Sequence, residues 1–193
     1  MPKIYLIRHG HAQTSNLGEK NPALDSVGDQ QAIEIVRDLD GLDPCPIWTS
    51  PLRRCRQTAA PLAYRWLATP IIEPSVTEVP SPMQDPVIRS AWLMQMLTMS
   101  WPEMANAGEQ LRAGYADSLK DWREKMLYAI LSCREDTVIY SHFFVINALI
   151  AHATQEDRVV CAMLDYGSIT VFDVEHHRLR LDRIGRQMVS HLH

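Results

Sequence analysis

Short apolar runs and longer amphipathic ones alternate along this chain. Ile4-Tyr5-Leu6, Ile47-Trp48-Thr49, Ile71-Ile72 and Thr137-Val138-Ile139-Tyr140 are brief and rich in β-branched or aromatic residues, which predicts strands. Ala32, Ile35, Val36 and Leu39 recur at helical intervals behind Ser26-Val27-Gly28-Asp29, a capping-box spacing, and predict a helix over 27–39. Ser50-Pro51 opens a second helix, which Pro61 is expected to kink or divide. A long amphipathic helix is expected from Gly108 to Cys133 and another from Val145 to Ala153. Ser168–Phe172 and residues 178–184 supply the last strands.

Strand-like and helix-like segments in alternation are the pattern of βα units around a mainly parallel sheet. The expected architecture is a three-layer α/β/α sandwich built as one domain over 1–193. Prolines at 74, 80, 82, 86 and 102 interrupt the pattern, so residues 74–107 read as a small helical cap inserted into it. Within the cap, Trp92 to Trp101 is rich in large flexible apolar groups. Trp92, Met94, Met96, Met99 and Trp101 either cover an apolar portion of a substrate or form a packed or dimer-contact face.

Composition narrows the function classes. A net charge of -4 and a pI near 6.0 argue against broad nucleic-acid binding, and the arginines at 178, 180, 183 and 186 alternate with apolar residues as on the solvated face of a strand. Four cysteines (Cys45, Cys55, Cys133, Cys161) without CxxC spacing suggest reduced thiols and a cytoplasmic location. The short apolar run before Arg8 does not make a signal peptide, and no window reaches the ~18 apolar residues of a membrane span.

Chemistry is expected where strands end. Arg8-His9-Gly10 follows the first strand and Ser141-His142 follows the Val138 strand, so two histidines leave strand ends, where open α/β sheets bind ligands. Gly10 would let a ligand approach the backbone. Arg54 lies in the first turn of the helix after the second strand, a place that favours an anion such as phosphate. Glu78 sits on the proline-stiffened loop after the third strand. His9-Gly10-His11 could be read as a metal-binding pair, but no close carboxylate or cysteine completes a ligand set.

Taken in order, these motifs resemble the histidine phosphatase superfamily, the phosphoglycerate mutase-like family. Arg8-His9-Gly10 is similar to its nucleophile motif. Ser50, Leu52, Arg54, Thr58 and Ala59 match its S-x-L-x-R-x-x-x-T-A element, Leu24, Gly28, Gln31 and Ala32 its glycine-glutamine segment, and Ser141-His142 its second histidine. The resemblance implies His9 as nucleophile, Glu78 as general acid and base, and Arg8, Arg54 and His142 around the phosphate. The family's phosphate-binding asparagine carries over to Asn16, one position later than usual. Phe143-Phe144 stands where the family usually has glycine.

The expected activity is that of a phosphomonoesterase of the phosphatase branch, working through phosphohistidine on a phosphorylated small molecule or a phosphoprotein. It needs no metal and no cofactor, because arginines neutralise charge, and no nucleic acid or membrane partner is implied; a homodimer is left open. Two arginines should lower the His9 pKa and keep its lone pair available. A mutase-type phosphotransferase is disfavoured because the cap lacks a basic cluster for a second phosphate. A silent phosphate-binding scaffold would require loss of one of the five core residues, and all are present.

Overall fold

In the computed structural model, which describes residues 1–13, 19 and 21–188, the N-terminal apolar run becomes β1 (Lys3–Arg8) near the middle of a sheet. β4 (Thr137–Ser141) runs parallel to it on one side and β5 (Ile169–Glu175) antiparallel on the other. β2 (Ile47–Thr49) pairs in parallel with β4, and β3 (Ile71–Ile72) in parallel with β2. β6 (Arg178–Arg183) closes the far edge against β5, giving the order β3-β2-β4-β1-β5-β6. Four strands are parallel, so the sheet is mainly parallel as expected.

The alternation of side chains along β1 builds two cores. Ile4 and Leu6 join Ile139 and Phe172 on the face covered by α5 (Tyr115–Leu131) and α6 (Phe143–Thr154). Ile7 joins Val138, Tyr140 and Val171 on the face covered by α1 (Ser26–Asp38) and α2 (Arg53–Trp66). Helices thus lie on both faces, the expected three layers. α6 is buried from Phe143 to Ala151, which explains why its sequence is apolar almost all round.

Several local expectations change. The cap of α1 is Asp25, whose carboxylate accepts from Gly28 N, so Ser26 is the first helical residue. Pro61 lies inside α2 without dividing it: Ala59, Leu62 and Ala63 are buried around it, and their packing outweighs the one backbone bond that proline removes. The single helix predicted over Gly108–Cys133 is two, α4 (Trp101–Leu111) and α5. Gly114 turns the chain at φ +76°, and the Glu109 carboxylate accepts from Gly114 N and Ala116 N to cap α5. A Cβ on Gly108 would lie 2.1 Å from the Tyr115 ring, so this glycine lets the two helices meet.

The excursion after β3 contains a 3-10 turn at Pro74–Val76, α3 (Pro86–Gln95), a second 3-10 turn at Met96–Thr98 and then α4. Its Trp92, Met96 and Trp101 are buried in the main core with Tyr115 and Trp122, Met99 packs against the same cluster, and Met94 faces solvent. For Trp92, Met96, Met99 and Trp101 this overturns the reading as a substrate cover; they serve the core, because a cap of short helices must bury an apolar face of its own. Among the described residues no helix is long and apolar enough to cross a membrane.

Candidate active site

The register of the sheet brings the two histidines together. Arg8 pairs with Ser141, so His9 and His142 leave adjacent parallel strands at the same level, with ring centroids 5.3 Å apart. β1 and β4 then send their chains to opposite faces, into α1 and α6, the topology at which open α/β sheets bind ligands. Backbone bonds hold the rim: His9 N donates to Ser141 O, Ser50 N to Tyr140 O and Arg8 N to Ser168 O.

Arg54, in the first turn of α2, is the hub. Its Nε donates to His9 Nε2 at 3.1 Å, and its Nη2 lies 3.2 Å from His142 Nδ1. The same Nη2 is 3.6 Å from Glu78 Oε2, which is 3.5 Å from His142 Nδ1. Arg8 closes the other side, with Cζ 3.7 Å from the Tyr166 ring centre and 5.0 Å from that of Phe143. Its Nη1 donates to Leu164 O, while its buried Nε has no partner in the described structure. All five residues expected from the sequence converge here. Asn16 lies outside the described residues.

The electrostatics favour neutral rings. His9 Nδ1 lies 2.7 Å from Gly10 O, which can only accept, so the proton sits on Nδ1 and the Nε2 lone pair faces Arg54. Burial, then Arg54, and more weakly Arg8, hold the His9 pKa well below its ordinary 6.5. The arginines expected to cause this shift are therefore secondary to desolvation. His142 is fully buried and its pKa is likewise well below 6.5, first through burial and then through Arg54.

The remaining motif residues prove to be brackets. Ser50 Oγ is 2.8 Å from His142 Nε2, and its hydroxyl can donate or accept, so it satisfies either tautomer of the ring. Thr58 Oγ1 accepts from Gly10 N at 3.0 Å and donates to Arg54 O at 2.7 Å, tying the nucleophile loop to α2. Gln31 and Gln57 accept from His11 N and Leu24 N. Gly10 and Gly28 pack against each other's segments: a Cβ on Gly10 would lie 2.7 Å from Gly28 O, and one on Gly28 2.1 Å from His11 O. Gly10 therefore makes room for α1, where the sequence suggested room for a ligand.

Neighbouring polar side chains have other places. Glu73 caps the 3-10 turn through Ser75 N, and Arg53 and Arg56 are exposed. His11 pairs with Asp25 at 2.5 Å, and no group of three or more metal-ligating side chains occurs among the described residues. Cys55 lies 3.5 Å from His142 Nε2, but burial pushes its pKa up to about 12, so it stays a neutral thiol. Two cavities, of about 430 and 840 Å³, lie outside this cluster, one beside α4, α5 and α6 and the other between α5 and the β2–β3 edge. The site is marked by convergent buried polar groups, not by volume. Tyr166 is not legible in the sequence: Asp165-Tyr166-Gly167 is a short turn before β5 that belongs to none of the motifs.

A fold of this kind, carrying an arginine-histidine-glycine loop and a second histidine 5.3 Å from the first, defines a class. The family model of the histidine phosphatase superfamily (branch 1) matches residues 4–187, and the chain belongs to that superfamily. Solved structures agree in fold over nearly the whole chain. A putative alpha-ribazole-5'-P phosphatase from Escherichia coli is 17% identical, with 98% of each chain covered and a TM-score of 0.74. A phosphoserine phosphatase from Entamoeba histolytica, in complex with 3-phosphoglyceric acid, is 21% identical over 97% of this chain and 98% of its own, at TM-score 0.71. YhfR from Bacillus stearothermophilus is 20% identical over 94% and 95%, also at 0.71. At such identities the likeness establishes the fold. A search of curated proteins returns no match.

Proposed function

We propose that the protein is a metal-independent phosphomonoesterase acting on a phosphorylated small molecule in the cytoplasm, through a phosphohistidine at His9. The observation that carries this reading is the orientation of His9: Nδ1 is tied to Gly10 O while the Nε2 lone pair faces the guanidinium of Arg54. A phosphoryl group entering between them would meet the nucleophile in line and take over the Arg54 donors. Residues 1–193 act as one domain in this account, with residues 74–107 as its cap.

In the first step Nε2 attacks phosphorus, the N–P bond forms as the ester P–O bond breaks, and Glu78 in its acid form gives its proton to the leaving oxygen. The second step is hydrolysis: Glu78 as carboxylate takes a proton from water, the hydroxide attacks phosphorus, and the N–P bond breaks to restore neutral His9 and release phosphate. Arg8 and Arg54 neutralise the equatorial oxygens through charge-assisted hydrogen bonds, the work a divalent ion does elsewhere. His142 donates from Nδ1 when Ser50 donates to its Nε2. Electrostatic positioning of this kind supplies most of the acceleration in phosphoryl transfer.

Rapid quench with a ³²P-labelled aryl phosphate tests the reading. Acid-labile, base-stable label is expected on native protein and absent from His9→Ala, with turnover unchanged by EDTA. Stoichiometric label on His9→Ala, or a rate that falls with chelation and returns with magnesium, would refute it. Phosphate binding without turnover would favour the silent scaffold.

A further inference from the structure

Arg8 is a buried cation with an unusual set of neighbours. It is 8% exposed, yet none of the ion pairs among the described residues involves it. The acids in its vicinity are engaged elsewhere: Glu78 faces Arg54 and His142, and Asp165 binds Arg186 Nε at 3.2 Å. A buried charge without a counter-ion is costly unless something else stabilises it. Two aromatic rings flank its guanidinium carbon, Tyr166 at 3.7 Å from the ring centre and Phe143 at 5.0 Å.

Resting on the phosphatase reading above, we propose that Tyr166 is the positioning residue for Arg8: its ring, with Phe143, takes the place of a carboxylate partner and holds the guanidinium in place with its charge unneutralised. A carboxylate would compete with the substrate phosphate for the same N–H groups. An aromatic face attracts the cation through its quadrupole and accepts none of those hydrogen bonds, so the donors stay available at the edge of the plane. Among the described residues Arg8 donates through Nη1 alone, to Leu164 O, and the buried Nε–H is without a partner, as expected of a donor reserved for an anion.

Tyr166 is itself held by the fold. Gly167 N donates to Arg8 O and Arg8 N to Ser168 O, which lashes the Tyr166 turn to the end of β1. Arg186 Nη2 donates to Tyr166 O, and Ser168 N to Asp165 O. The ring also packs against His11 at 5.0 Å and against His9 at 5.8 Å between centroids. One side chain therefore contacts the phosphate-binding arginine and the nucleophile together. Phe143, at the position where the family usually has glycine, gains a role: it is the second ring beside Arg8.

Inorganic phosphate, titrated calorimetrically, is the probe, because its binding needs no turnover. Tyr166→Phe keeps the ring and is expected to bind phosphate within about twofold of native. Tyr166→Leu is expected to weaken binding by about 30-fold, the scale of a desolvated cation–π contact. In an Arg8→Ala background the same substitution is expected to change nothing further, since a ring that acts through Arg8 has nothing left to position. Equal losses in both backgrounds, native affinity in Tyr166→Leu, or a loss in Tyr166→Phe as large as in Tyr166→Leu would each overturn the proposal. If Tyr166→Leu does not fold, Phe143→Leu in the same cycle decides, with a loss that vanishes without Arg8 expected and an additive loss overturning it. Failure of the native protein to bind phosphate at all would instead overturn the phosphatase reading.

Discussion

Replacing Thr58 by valine isolates the bracket between the nucleophile loop and α2. The side chain is fully buried, and valine copies its shape, so no cavity opens. What is lost is the acceptor for Gly10 N at 3.0 Å and the donor to Arg54 O at 2.7 Å. Arg54 O belongs to a helix and keeps its backbone partner, so the main cost is the orphaned Gly10 N–H. A buried donor left unpaired costs about 1–3 kcal/mol. For a chain of 193 residues, about 2 kcal/mol lowers Tm by roughly 4–8 °C. The same loop carries Gly10 O, which orients His9, so kcat should fall about tenfold as the nucleophile loses its alignment. Calorimetric melting and steady-state hydrolysis of an aryl phosphate measure both effects, with Thr58→Ser, which keeps the hydroxyl, as the control. A Thr58→Val protein with native Tm and native kcat would refute the bracket.

Gly28→Ala places a Cβ where His11 O already stands, at 2.1 Å, so α1 must shift; urea titration should show a loss of about 3 kcal/mol or more, and an unchanged midpoint would contradict the packing. Arg54→Ala should lower the single-turnover chemical rate by roughly 10²–10³, and a rate within a few-fold of native would remove Arg54 from the chemistry. The lowered pKa values of His9 and His142 mean that below the ordinary value of 6.5 the unfolded chain binds more protons than the folded one. Stability from these rings is complete above pH 6.5 and is lost as pH falls toward the lowered folded values. Urea midpoints between pH 7 and about 5 should therefore drop more steeply for the native protein than for a His9→Asn, His142→Asn variant, and parallel slopes would contradict the shifts.

How much could be read in advance differs from element to element. Strands β1, β2, β3 and β4 are short apolar runs with sharp ends, and their positions were legible to within a residue or two. The division of the predicted 108–133 helix was not, because the turn depends on Gly114 and on Glu109 capping a helix that follows it. In the sequence Gly10 suggests clearance for a ligand, whereas its clearance is for the backbone of Gly28, eighteen residues away in the chain and adjacent only in space. The Trp92–Trp101 stretch shows the same limit: apolar side chains look alike whether they cover a ligand or fill a core, and burial against Tyr115 and Trp122 decides the matter.

From the chain alone came the chemistry: which residue types stand at strand ends and helix starts, and hence that Arg8, His9, Arg54, Glu78 and His142 belong together. Local periodicity and motif spacing carry that information because the strands and helices launching these residues are short-range structures. Tertiary packing alone decided how the rings are oriented, which partners satisfy them, and that Tyr166 comes to lie over Arg8. Apart from the Gly10 carbonyl that orients His9, those are contacts between segments more than forty residues apart, set by sheet register and by which buried groups lack a partner, and no local pattern encodes them.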